Sequence, residues 1–489
     1  MRAYTKTAGS GVYFSGAIVK LPDSSSSAGR KVVVATVLVA VVLVLGVVLP
    51  SRFLSLGTAP PATAPAGPTR YPAPPGTAAL ARLRAHAGRK LTAEQVVATK
   101  LTRFAKKHRA LVHRIADHYH LAVPSDVDRF FAAVEAGNWE EAERIYKTLR
   151  DGEYNGSPRS ADLRKFWRPI LEAYGAAEEV HSWPAQQLLD YGNSVLGSLR
   201  PGMVYVGGTD PGCFIPTMLN ETTDGEQHIV FTQNALADSS YIDYVNFLYG
   251  DQVNILTADD NKSAFDQYSA DAKKRLEHDQ QFPDEPKQIL PGEDLQMVNG
   301  SLIIHGVTAV MAINEVLLQD FLQKNPDLSV AMEESYPLKS TYAGAAPLGP
   351  IMELGANDGA SAITADTAAQ TAGYWDSAAQ NLLSNPEAAA SDTVLKTYSH
   401  EAVAAGNLLA NNNYSDAAEQ TYQTALDLWP DNPEAAYTFA RFLAGQGRMD
   451  EAREILDTIV TDDPVQAAAV EAVRGTLKAA PGQPSRAVP

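Results

Sequence analysis

Asp210, Asn234, Asp238, Asp259, Asp260, Asn314, Glu315, Glu333 and Glu334 each stand directly after a run of β-forming residues. Acid and amide groups gathered in this way can hold a divalent cation or hydrogen-bond the hydroxyls of a sugar. Two carboxyls in unlike surroundings could also divide acid and base roles. The residues assigned to ligand contact are Thr209, Asp210, Asn234, Asp238, Asp259, Glu315 and Glu333, with Asp210 foremost. They name no catalytic residue, no cofactor and no metal set. A plainer role competes at several of these positions. Asp210 before Pro211 reads as a helix cap with proline at the first helical position, and Asp238, Asp260 and Asn314 also suit a cap.

What would gather these side chains is a sheet. Stretches 203–206, 228–232, 253–256, 302–304, 307–313 and 328–332 read as strands. Helices are expected from about 210, 239, 262 and 314. Strands alternating with helices imply a parallel sheet. Ligands of such sheets sit beyond the carboxyl ends of the strands, which places all the polar residues above along one edge. The connection 278–294 is rich in proline and acid and longer than usual, which marks a lid or a partner site.

Several familiar chemistries are excluded. The loop 206–212, VGGTDPG, fits neither GxGxxG nor GxxxxGK[ST], and Pro211 removes an amide that a phosphate cradle would use. GxSxG and HExxH are absent. Cys213 is the single cysteine, so disulfides within the chain and cysteine-rich metal sites are ruled out. It reads as a small apolar residue beneath the loop, with a reactive thiol at a helix start as the alternative. His108, His113, His118 and His120 lack the spacing and the carboxylates of a metal site and read as surface histidines.

The strand, glycine-rich turn and following residues Asp210, Phe214 and Pro216 resemble the soluble segment of bacterial O-mannosyltransferase-like membrane proteins. The resemblance spans 203–250 and implies a related extracytoplasmic fold. Those proteins have many spanning helices, and this chain has one.

That one is 32–50, a run rich in valine and leucine without a charge, close to the length needed to cross a bilayer. Arg30 and Lys31 precede it, so residues 1–31 form a basic cytoplasmic tail and the body lies outside the cell's inner compartment. A cleaved signal peptide is the rival reading. Residues 51–80 are a Pro/Ala-rich linker. The net charge of −17 conceals a basic surplus before residue 115, so the body beyond it is strongly acidic and disfavours nucleic acid.

Region 81–200 reads as helical. Thr92 and Gln95 form a capping box, flanked by Leu91 and Val96 as a hydrophobic staple. The helix that follows, 92–116, carries an apolar stripe through Val97, Leu101, Phe104, His108, Leu111 and Ile115. Its basic face bears Lys100, Arg103, Lys106, Lys107, Arg109 and Arg114, which could meet lipid, the acidic body or solvent. The break at Gly137-Asn138 before Trp139 marks a helical hairpin.

Toward the C-terminus two copies align at a spacing of 34: Ala418 with Ala452, Tyr422 with Leu456, Ala425 with Ile459 and Pro430 with Pro464. The period resembles tetratricopeptide repeats over 395–470, although the leading Trp and Gly of the consensus are missing. Such arrays bind proteins.

The expected architecture is α/β plus all-α: a single transmembrane helix, a helical region 81–200, a parallel α/β domain 201–345, a tetratricopeptide-like domain 346–475 and a disordered tail 476–489. It implies a membrane-anchored interaction protein, with a protein partner on the repeats and the bilayer at 32–50. The alternative is an extracytoplasmic carbohydrate-binding or glycosyltransferase-related enzyme using the acidic rim around Asp210.

Overall fold

The computed structural model describes residues 91–151, 161–290, 292–298, 301–334, 344–355, 363–461 and 464–479. The expected spanning segment 32–50, the linker and residues 480–489 of the expected tail lie outside the described residues, whereas 476–479, expected in the disordered tail, end a helix through the buried Leu477. Among the described residues no helix is long and apolar enough to cross a membrane.

The first helix, α1 (Ala93–Tyr119), starts at the expected capping box. Thr92 Oγ1 accepts from the Gln95 amide, and Gln95 Oε1 accepts from the Thr92 amide at 3.1 Å. Its stripe Val97, Leu101, Phe104, Leu111 and Ile115 is buried. The basic face turns onto the chain's own acids. Arg103 reaches Asp224 at 3.0 Å, Lys107 reaches Glu221 at 2.9 Å, and Arg109 reaches Asp128 at 2.8 Å. The hairpin α2 (Ser125–Glu135) and α3 (Trp139–Asp151) turns at Gly137 as the sequence suggests. Next come α4 (Ala161–Lys165), α5 (Trp167–Ser182) and α6 (Ala185–Ser198), and α5 packs on α1.

The central sheet runs β2-β1-β5-β7-β6. β1 (Val204–Gly207) lies parallel to both β2 (Ile229–Thr232) and β5 (Val330–Met332). β7 (Ile351–Leu354) and β6 (Ala346–Leu348) add an antiparallel hairpin at β5's open side. The sheet is therefore mixed, where a parallel one was expected. Helix α7 (Asp210–Glu221) follows β1, and α8 (Ser239–Tyr249) follows β2. α9 (Ala258–Gln281) leads to a separate hairpin of β3 (Asp294–Val298) and β4 (Ser301–His305). α10 (Val307–Lys324) returns the chain to β5.

Two expected strands are corrected. Segment 253–256 joins no sheet, because the Asn325 side chain meets both backbone groups of Asn254, each at 2.9 Å, and stands in for a neighbouring strand. Segment 307–313 is helical despite its β-branched residues. Ala309, Ile313, Leu317 and Phe321 form a buried stripe at four-residue steps, and that burial outweighs local propensity.

The C-terminal region is helical throughout: α11 (Ala365–Ser384), α12 (Pro386–Ala389), α13 (Asp392–Asn411), α14 (Ser415–Leu428), α15 (Pro433–Gly445), α16 (Met449–Asp457) and α17 (Pro464–Ala479). The residues aligned at the 34-residue spacing, Ala418, Tyr422 and Ala425 with Ala452, Leu456 and Ile459, are all buried between paired helices. Small side chains at Ala418, Ala425 and Ala452 let the helix axes approach. α13 also packs on β6 and β7, so one continuous apolar core extends from Val97 to Leu477.

Candidate functional site

β1 is flanked by β2 on one side and β5 on the other, so strand order reverses at its carboxyl end. Ligands of open α/β sheets enter at such a point. Here the place is filled from within. Glu333, directly after β5, accepts from the amides of Gly208 and Thr209 at 2.6 and 2.7 Å on Oε2. Its Oε1 accepts from the Thr209 hydroxyl at 2.7 Å. Thr209 Oγ1 in turn accepts from the Gly212 amide at 3.1 Å, capping α7. A Cβ on Gly212 would lie 2.2 Å from Glu333 Oε2, so only glycine admits the carboxylate. The amides that an anionic ligand would use thus hold a carboxylate of the chain itself.

Thr209, Asp210, Asn234 and Glu333 meet at this edge, and Asn234 donates to the Gly208 carbonyl at 3.0 Å. Thr209 is the cap of α7 and Asp210 is its first residue, which corrects the expected capping role of Asp210. Asp210 is 8% exposed, and its carboxyl makes no hydrogen bond among the described residues. Burial, then the charge of Glu178, pushes its pKa up to about 7 against the opposing pull of Arg168. Burial likewise raises Glu333.

The other candidates have separate positions. Asp238 caps α8, accepting from the Ser240 amide at 2.8 Å. Asp259 is exposed in the first turn of α9, whose cap is Thr257. Asp260 there pairs with Lys324, toward the end of the sheet where β5 begins. Asn314 lies inside α10 and is no cap. It accepts from the Ala237 amide at 2.8 Å and donates to the Asn234 carbonyl at 3.3 Å. Glu315 follows it, half-buried. Cys213 is buried beneath the loop, and burial raises its thiol pKa.

Sequence reasoning missed the groups beyond Glu333. His400 of α13 donates from Nε2 to the Glu334 carbonyl and from Nδ1 to Glu434 of α15, both at 2.8 Å. Two acceptors require the doubly protonated ring. Burial opposes that charge, but Glu434 and Glu333 outweigh it and bring the pKa up to about 10. Tyr191 donates to Glu401 Oε1 at 2.8 Å, and Glu401 is pushed well above the carboxylate range by burial and by the charge of Glu333. A charged His-Glu pair inside an alanine-rich helix was the available signal.

A second buried network corrects the reading of His108 as a surface residue. It is fully buried, with Nε2 3.3 Å from Glu221 and Nδ1 3.7 Å from Glu172. Burial raises Glu221, but the His108 charge outweighs it and brings the pKa down to about 2. Arg168 bonds Glu172 at 2.8 Å, and Tyr244 donates to the same carboxylate at 2.7 Å. These groups neutralise one another and tie α1, α5, α7 and α8 together.

The tetratricopeptide-repeat profile matches residues 408–477. No curated protein and no solved structure matches the chain. The match supports the repeat reading of the C-terminal helices and a role in protein interaction. The resemblance of 203–250 to O-mannosyltransferase-like proteins has no support from these comparisons.

Proposed function

We propose that the protein is a membrane-tethered, extracytoplasmic interaction protein that recruits or organises other envelope proteins through its tetratricopeptide helices. The observation that carries this reading is the repeat itself, matched over 408–477 and built on interleaved small residues. The tether is residues 32–50, the spacer is 51–80, and the acidic body faces outward. Part of α13 is already engaged with the chain's own Glu334, and Glu434 of α15 closes on His400, so the surface offered to a partner is the stretch of α15 that bears Tyr437 and Arg441.

The test places a photo-crosslinking residue at Arg441 of the full-length protein in its membrane, with the exposed Lys273 as control. Discrete adducts at 441 that are absent at 273 and lost with Tyr437→Ala support the proposal. Equal adducts at both positions, or none, overturn it. Protease added to sealed right-side-out vesicles should digest the body, and a protected body would reject the orientation.

A second reading rests on the unpaired, buried Asp210 carboxyl. A polar ligand would displace Glu333 and contact Thr209, Asp210 and Asn234. A ligand that binds wild type and loses affinity on Asp210→Asn would favour it.

A further inference from the structure

A cavity lies away from the sheet, beside the α2–α3 turn. It encloses about 310 Å³ between α1, that turn and α5. This volume is at the lower end of small-molecule sites. Ala98 and Leu101 form one wall and Ala177 another. Trp139 stacks on His181, with ring centroids 5.0 Å apart and planes within 16°, and makes a flat aromatic wall. Tyr174 braces the same indole at 5.4 Å.

Glu135 is the carboxylate on this lining, and no lysine or arginine shares it. Its Oε1 is shut off from water and accepts no hydrogen bond. Arg109 Nη1 stands 3.5 Å away, but the Arg109 Nε is committed to Asp128 at 2.8 Å. A carboxylate oxygen shut off from water, with Arg109 only at ion-pair distance, and an aromatic face both favour a further positive charge. The surrounding alanine, leucine and valine side chains favour an apolar body.

We propose that this cavity binds a small organic amine, a protonated nitrogen attached to an apolar group about the size of one ring. The ammonium donates to Glu135 and the ring lies along Trp139. The site is independent of the repeats and of the sheet edge.

Phenethylamine, 2-phenylethanol and phenylacetate share a ring and differ chiefly in charge, so titrating the full chain with each isolates the assignment. Calorimetry and the Trp139 indole resonance, identified with Trp139→Phe, report binding. The amine should bind one site, with the alcohol about tenfold weaker and phenylacetate weaker still. Glu135→Gln should bring the amine to the affinity of the alcohol. Ala98→Trp should plug the exposed mouth and abolish binding with the melting temperature unchanged. Absence of saturable amine binding, phenylacetate binding as tight as the amine, or indifference to either substitution overturns the proposal.

Discussion

Thr209 donates its backbone N–H to one carboxylate oxygen of Glu333 and its hydroxyl to the other, joining two loops 124 residues apart. The β1–α7 turn, which in other α/β sheets faces a ligand, is closed by this contact. Glu333 in turn neighbours His400 and Glu401, so the closed edge continues into the repeat helices. The sheet and the repeats meet through buried charge as well as apolar packing.

Replacing Glu333 by Ala leaves the Gly208 and Thr209 amides and the Thr209 hydroxyl without their acceptor. Each such group costs about 1–3 kcal/mol when buried, against which the desolvation of Glu333 is relieved. A net loss of about 2–4 kcal/mol is expected in urea unfolding. Glu333→Gln, which keeps one acceptor oxygen, should lose less. Added formate should restore part of the Ala variant's stability and leave wild type unchanged. An Ala variant as stable as wild type would show that the contact holds nothing.

Asp210 gives a pH dependence of definite sign. Its pKa rises from 3.8 to about 7 in the fold, so the native state holds the proton more tightly than the unfolded chain. Its contribution is fully present below pH 4 and is lost as pH rises through 7. Asp210→Asn should therefore stabilise the protein at pH 7.5, by a few kcal/mol at most, with the gain vanishing below pH 4. The neighbours are Glu178, Glu179 and Arg168 on α5 and Glu333 beyond β5. The three acids, each raised by burial, add a slope of the same sign, of which the variant relieves only the part of Glu179 that Asp210 causes. Favourable charge at the start of α7 is worth only about 0.3–1 kcal/mol in the opposite direction. Melting curves of both proteins from pH 3.5 to 8 decide it, and a less stable variant at pH 7.5 would contradict the burial argument.

His400 slopes the same way with pH, over a higher window. Its pKa rises from 6.5 to about 10. The stability it contributes is complete below pH 6.5 and declines as pH climbs toward 10. His400→Leu should cost about 2–4 kcal/mol at pH 6, because it strips donors from Glu434 and from the Glu334 carbonyl. The difference from wild type should narrow by pH 10. Urea unfolding across this range, with the imidazole titration followed by NMR, tests both parts. A constant difference would place the His400 titration elsewhere.

Local signals were legible in the sequence where local contacts decide the structure. The capping box at Thr92, the strands before Gly207 and Gln233, and the repeat spacing of Ala418 and Ala452 all follow from residues close together or periodic. Long-range partners defeated the reading. Asn325 meets Asn254 from 71 residues away and replaces a strand. His108 sits on an apolar stripe, yet Glu221, 113 residues on, makes it a buried ion-pair residue. The antiparallel strands β6 and β7 gave no alternating signal, and Pro347 is tolerated because β6 is an edge. At the candidate site the polar residues were visible, but the choice of Glu333 as the acceptor for Thr209 was not.

Gly406 separates packing from helix propensity within the repeats. A Cβ there would lie 2.6 Å from the Tyr422 ring. That ring is 2% exposed, and its hydroxyl is tied to Asn407 at 2.9 Å, so it has little room to yield. Gly406→Ala gains about 1 kcal/mol in helix propensity, but overpacking costs about 1–3 kcal/mol. A net loss of roughly 1–2 kcal/mol is expected, because the clash falls on an immobile ring. Gly373, in α11, is the control, since a Cβ there meets nothing within 4 Å. Gly373→Ala should stabilise by about 0.5–1 kcal/mol. Equilibrium unfolding should give opposite signs for the two substitutions. A stabilising Gly406→Ala would mean that α13 and α14 do not approach as closely as the repeat packing requires.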